Sequence, residues 1–190
     1  MLLVSMLAGC GPATSSYSYA NEPDPRKIEY QIGPSDQVGV SVWGVPELNT
    51  TARVRPDGAV TVPLVGDVRA AGRTPTELRD AIQTRLKAFV KDESAVVSVV
   101  LLAVGSYRVL VLGRVGSPGI IQSEHFLTVN EAVTMAGGPT PFAKPKRLVL
   151  VRRRPDGTVV SIPIRYDLIM AGANTAQNLV LQRDDQLYMP

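Results

Sequence analysis

The sequence predicts an α+β fold built from two small strand-rich domains, the first carrying one long helix. Three observations carry that prediction. Valine-rich runs alternate with a period of two, and glycine and proline, 16 and 15 of 190 residues, break them into short elements. Only two segments combine helical spacing with the capping residues that start a helix. Hydrophobic residues at 45% and charged residues at 19% supply enough apolar surface for packed cores.

The chain opens MLLVSMLAGC, and Cys10 is its only cysteine. LLVSMLA is a short apolar run ending in small residues, the pattern of a secretory signal and its cleavage site. LAGC resembles a bacterial lipobox, in which the cysteine is lipidated and becomes the first mature residue. Residues 1–10 therefore read as a signal peptide with lipobox, incomplete because no Lys or Arg precedes Cys10. A buried cysteine in a short hydrophobic strand is the alternative. Gly11, rather than Asp, follows the cysteine, which in such lipoproteins is consistent with passage to the outer membrane. Residues 11–27, GPATSSYSYANEPDPRK, are small, polar and proline-bearing, and read as a flexible tether.

The first domain is expected over residues 28–104. KIEYQI is strand-like, GPSD turns, and QVGVSVWG alternates Val38, Val40 and Val42 on one face. Pro56-Asp57-Gly58 sits between two Val-bearing runs as a hairpin turn. TPTELRDAIQTRLKAFV then reads as the long helix. Thr74 caps it, Pro75 takes the first helical position and Glu77 completes a capping box. Leu78, Ile82, Leu86 and Phe89 form its apolar stripe. SAVVSVVLLAVGSYRVLVLG has the length of a membrane span, but Gly105 and Arg108 break it and valine dominates. Two buried strands joined at Gly105-Ser106 fit better, and that joint is the expected domain boundary.

The second domain is expected over residues 105–190. After a strand pair, Thr128 and Glu131 form a second capping box. Ala132, Val133 and Ala136 pack, and Gly137-Gly138 end the helix. KPKRLVLVRRR, Lys144 to Arg154, reads as a solvated strand edge, or else as a contact with an acidic polymer or lipid headgroups. A second RPDG, Arg154 to Gly157, makes a hairpin, and DQLYMP is a terminal strand.

A net charge of +3 and 5% aromatic residues argue against a nucleic-acid partner. One cysteine and one histidine fall short of the four ligands of a structural zinc site. His125 lies in SEHFLTV without a nucleophile elbow, and no phosphate-binding glycine loop occurs. No enzyme and no cofactor are expected. Asp36, Asp57 and Asp67 read as turn and loop residues before sugar ligands.

The stretch from Tyr30 to Leu86 resembles the periplasmic domain of the bacterial outer-membrane polysaccharide export family. VLVLGRVGSPGIIQSEHFLTVNEAVTMAGGPTPFA resembles its companion, the soluble-ligand-binding β-grasp (SLBB) domain. The family usually carries Gly-Asp where this chain has Ser35-Asp36 and Asp184-Asp185, so each change replaces a turn glycine. The resemblance implies a periplasmic lipoprotein, anchored at the inner leaflet of the outer membrane, that assembles into a homo-oligomeric ring. Capsule or exopolysaccharide would pass through it. An inner-membrane chain-length or polymerisation protein, often a tyrosine autokinase, is the implied partner. No segment after Gly113 supplies a membrane span, so a separate outer-membrane β-barrel is expected to complete the conduit. A monomeric envelope lipoprotein binding a soluble sugar or cofactor through the β-grasp domain is the rival reading. A sugar hydrolase would instead need two carboxylates about 5–9.5 Å apart.

Overall fold

The structure, a computed structural model, describes residues 17–90 and 95–190. Strand β1 (Gln37–Val42) buries Val38, Val40 and Val42 on one face, as the alternation predicts. It lies between β2 (Thr50–Arg53) and β5 (Val97–Ala103) and runs antiparallel to both. Strands β3 (Ala59–Val62) and β4 (Gly66–Arg69) form a separate two-stranded ribbon. Helix α1 (Pro75–Leu86) starts at the expected capping box, in which Thr74 and Glu77 satisfy each other's backbone N–H. Leu78, Ile82 and Leu86 face the strands and are fully buried. Burying each such side chain contributes about 1.5–3 kcal/mol.

The second unit is a five-stranded sheet in the order β7-β6-β10-β8-β9. Its strands are β6 (Arg108–Gly113), β7 (Gly119–Gln122), β8 (Leu148–Arg153), β9 (Val159–Ile164) and β10 (Gln186–Met189). Only β10 and β6 pair in parallel. Val109, Val111, Leu148, Leu150, Ile162, Ile164, Leu187 and Met189 form the inner face. Against it pack α2 (Val129–Met135), capped by Thr128 and Glu131, and α3 (Tyr166–Met170). Ala132, Val133 and Ala136 are buried. No helix among the described residues is long and apolar enough to cross a membrane.

Several expectations need correction. In KIEYQI, Lys27 ends a short 3-10 helix and residues 28–32 join no ladder; Ile32 instead exchanges backbone bonds with the Gly72-Arg73 turn. The turn at Pro56-Asp57-Gly58 exists, yet β2 and β3 enter different sheets rather than pairing as a hairpin. Phe89 falls beyond the end of α1 and is 59% exposed, so it leaves the apolar stripe. Strands β5 and β6 lie in separate sheets, and Val100 and Leu102 of β5 face outward, half exposed. The basic strand β8 is not a sheet edge: it sits between β10 and β9, and Arg152 points inward.

The expected tether also differs over its described part. Residues 17–27 lie on the second unit, where Tyr17 and Tyr19 pack against its core and Tyr19 donates to the Pro163 carbonyl. Glu22, with a side chain 4% exposed, pairs with Arg152 at 2.7 Å. A buried carboxylate needs a cation, and here that requirement holds a polar segment in place.

Candidate functional site at the junction of the two units

Asp36 precedes β1 and is fully buried. Its Oδ1 accepts the backbone N–H groups of Gly105 and Ser106, at 2.8 and 2.7 Å. Oδ2 accepts from Gly33 N–H at 2.7 Å, from Ser106 Oγ at 2.9 Å and from the Tyr30 hydroxyl at 3.0 Å. One carboxylate thereby ties the start of the first sheet to the strand connection that opens the second unit. Glycine is required on both sides of this joint. A Cβ on Gly33 would come within 2.6 Å of Ser106 Cβ, and one on Gly105 within 2.4 Å of the Ser35 carbonyl oxygen. Burial, the largest influence on Tyr30, raises its pKa and keeps its hydroxyl protonated as a donor.

The same construction recurs before β10. Gln182 donates its N–H to Asp185 Oδ2 at 2.7 Å, as Gly33 does to Asp36, and Asp185 N–H returns a bond to the Gln182 carbonyl. Ser35 and Asp184, which precede the two aspartates, both take positive φ, 79° and 62°. These are the positions where the resembling family has glycine. The second aspartate also meets the Arg152 guanidinium, at 2.6 Å to Nη2, where Asp36 instead meets the backbone N–H groups of Gly105 and Ser106. Burial pushes the Asp185 carboxyl up, against the opposing pull of Arg152. Arg152 completes its contacts with Glu22 and the Val180 carbonyl. Tyr107, its hydroxyl pushed up to about 12 by burial, donates to the Leu181 carbonyl and accepts from Leu127 N–H.

The other sequence candidates lie apart. Asp57 and Asp67 are exposed and share Arg55, at 2.6 and 2.9 Å. The Arg55 guanidinium lowers the Asp57 carboxyl to about 2. His125 sits in an exposed loop, bonded to Ser123. Cys10 lies outside the described residues. Among the described residues no group of three or more His, Cys, Asp or Glu could hold a metal ion. Sequence reasoning missed Glu22, Arg152 and Arg183. A signal for the repeated construction beside Arg183 was available: Ile32 to Val38 and Leu181 to Leu187 share the pattern of a buried apolar residue, then Asp-Gln, then strand.

The comparisons with known proteins agree with this layout. The family model described as polysaccharide biosynthesis/export protein matches residues 24–100, and the SLBB domain model matches residues 108–163. The chain is 32% identical over 146 residues to the capsule polysaccharide export outer membrane protein CtrA of Neisseria meningitidis, covering 76% of this chain and 34% of that one. It is 29% identical over 158 residues to the EPS I polysaccharide export outer membrane protein EpsA of Ralstonia solanacearum, covering 70% and 41%. It is 27% identical over 144 residues to the polysialic acid transport protein KpsD of Escherichia coli, covering 76% and 25%. The chain thus spans between a quarter and two fifths of the length of these relatives. With its two units matched in order by the two models, the chain belongs to the polysaccharide biosynthesis/export family and carries an SLBB domain after its export domain.

Proposed function

We propose that the protein is a periplasmic component of a polysaccharide export conduit. Lipid on Cys10 holds it at the inner leaflet of the outer membrane, and copies assemble into a ring around the passing capsule or exopolysaccharide. The observation that carries the ring is the outer face of the five-stranded sheet. By the strand register, Ile120, Leu110, Gln186, Val151 and Ser161 form one row across it, and Leu112, Tyr188, Val149 and Pro163 form the next. Six of these nine are aliphatic or aromatic, and Ile120, Tyr188 and Leu112 are 63%, 49% and 37% exposed. Neither helix covers this face, since both lie on the opposite side. A rigid apolar face of this kind suits repeated contact between identical subunits.

The proposal extends to the partners that the family resemblance implies: the polymer, an inner-membrane chain-length or polymerisation protein, and an outer-membrane β-barrel. Its roles are passive ones, positioning and enclosing, with no covalent step. Light scattering on the detergent-extracted protein tests the ring. The protein mass, corrected for bound detergent, should be a multiple of the mature lipidated chain, and Ile120→Asp with Leu112→Asp should reduce it to the single chain at unchanged thermal stability. A wild-type monomer overturns the ring. Cys10→Ser should leave the protein soluble or held as an unprocessed precursor, with export reduced; normal membrane fractionation of the variant, with no lipid mass on the wild-type N-terminus, overturns the anchor.

A further inference from the structure

A cleft of about 330 Å³ opens beside the junction, between residues 23–31 and the second unit. This is the small end of the range for ligand sites, about 300–1,000 Å³. Its walls are mostly apolar and aromatic. The rings of Tyr30 and Phe126 lie 6.2 Å apart at 45°, and Tyr107 braces Phe126 edge-on at 5.2 Å. Pro23, Pro25, Pro155 and Ile28 extend the apolar lining.

The polar groups are few and convergent. Gln31 and Gln182 line it, the Gln182 side-chain amide donating to the Pro23 carbonyl at 3.4 Å, and Arg183 lays its guanidinium over the Tyr30 ring, 5.6 Å from the centroid. Arg183 Nη2 donates to the Tyr30 hydroxyl and the Gln31 carbonyl. Its Nε–H, out of contact with solvent, has no acceptor among the described residues. Buried donors almost always have one, so this guanidinium holds an unused hydrogen bond beside an open cleft. Glu29 also lines the cleft, but its Oε1 accepts from Thr76 N–H and Oγ at the start of α1, which turns that charge towards the helix.

We propose that this cleft is a carbohydrate subsite and that the sugar it takes carries a carboxylate. The apolar face of a pyranose ring stacks on Tyr30 and Phe126, as aromatic faces favour. Its hydroxyls meet the amides of Gln31 and Gln182, and its carboxylate meets the Arg183 fork through a small turn of the guanidinium. The assignment of a sugar rests on the export reading above, because a passing polysaccharide is the source of the ligand. It also differs from a site enclosed within the β-grasp unit, since residues 23–31 build one wall.

Titration of the ¹⁵N-labelled full chain with a glucuronate-containing oligosaccharide, a matched neutral oligosaccharide and free glucuronate tests it. The acidic oligosaccharide should move the Arg183 Nε–H signal and the backbone amides of Gln31 and Phe126. The neutral one should bind at least tenfold more weakly. Free glucuronate moving the same signals with equal affinity would place recognition in a single sugar acid and overturn the polymer subsite, which requires the oligosaccharide to bind tighter. Arg183→Lys should weaken acidic binding about tenfold. Because Arg183 also braces the junction, Ile28→Glu at the 65% exposed rim is the second variant. It should weaken acidic binding at least severalfold more than neutral binding and leave thermal stability unchanged. Equal affinity for acidic and neutral oligosaccharides, no shifts at millimolar ligand, or wild-type binding by Ile28→Glu would overturn the subsite. Normal export in a strain lacking the protein would instead overturn the export reading and leave a measured sugar site standing.

Discussion

Asp36 and Asp185 occupy equivalent places, each buried, each accepting the N–H three residues earlier, each following a residue in the left-handed region. An L side chain in that region costs about 1–2 kcal/mol, and glycine gives back roughly 0.5–1 kcal/mol of this in backbone entropy. Ser35→Gly should therefore stabilise the protein by about 0.5–1 kcal/mol, since the Ser35 side chain makes no hydrogen bond across the junction among the described residues. Chemical denaturation checks this; a destabilised variant would show that the serine side chain holds the turn. The aspartates themselves were visible in the sequence as turn residues following a replaced glycine. Their partners were not. Gly105 and Ser106 stand 69 and 70 positions from Asp36, and no local pattern announces which backbone N–H groups a second carboxylate oxygen will meet.

Helix starts were legible because a capping box is a four-residue signal, and both boxes, at Thr74 and Thr128, form as read. The far end of α1 was less so. The spacing from Leu86 to Phe89 continues the stripe, but Lys87 closes the helix and Phe89 turns to solvent. This gives a paired test on one element. Ile82→Ala should cost about 2–5 kcal/mol, because the side chain is fully buried against the sheet. Phe89→Ala should cost far less. Equal losses in thermal denaturation would mean that Phe89 packs after all and that the stripe is longer than the helix. Strand partners were the least legible feature. The turn at Pro56-Asp57-Gly58 reads as a hairpin, yet pairing is decided by whichever face finds a core, and β3 finds it with β4. Strand β8 shows the same limit. Its cations suggest solvent, but alternation sends Arg152 inward and Arg153 outward, and the acids that make this tolerable come from residues 22 and 185.

At the scale of the whole molecule, two cores of separate sequence origin meet at a small polar joint, and Asp36 is its centre. Asp36→Asn tests that joint with almost no change in volume. A carboxylate offers two accepting oxygens, whereas an amide offers one oxygen and a donating NH₂. Whichever way the substituted amide turns, at least one of the N–H groups of Gly33, Gly105 and Ser106 loses its acceptor while still buried. An unsatisfied buried donor costs about 1–3 kcal/mol. The loss falls between the units rather than within either core, because Gly105 and Ser106 connect β5 to β6. Limited proteolysis should therefore cut between Val104 and Tyr107 sooner in the variant, while fragments holding each core persist. Thermal unfolding should broaden or split as the units uncouple. A single sharp transition at lower temperature, with no earlier cleavage at the connection, would mean that Asp36 supports the first core alone and would remove it as the joint between the units.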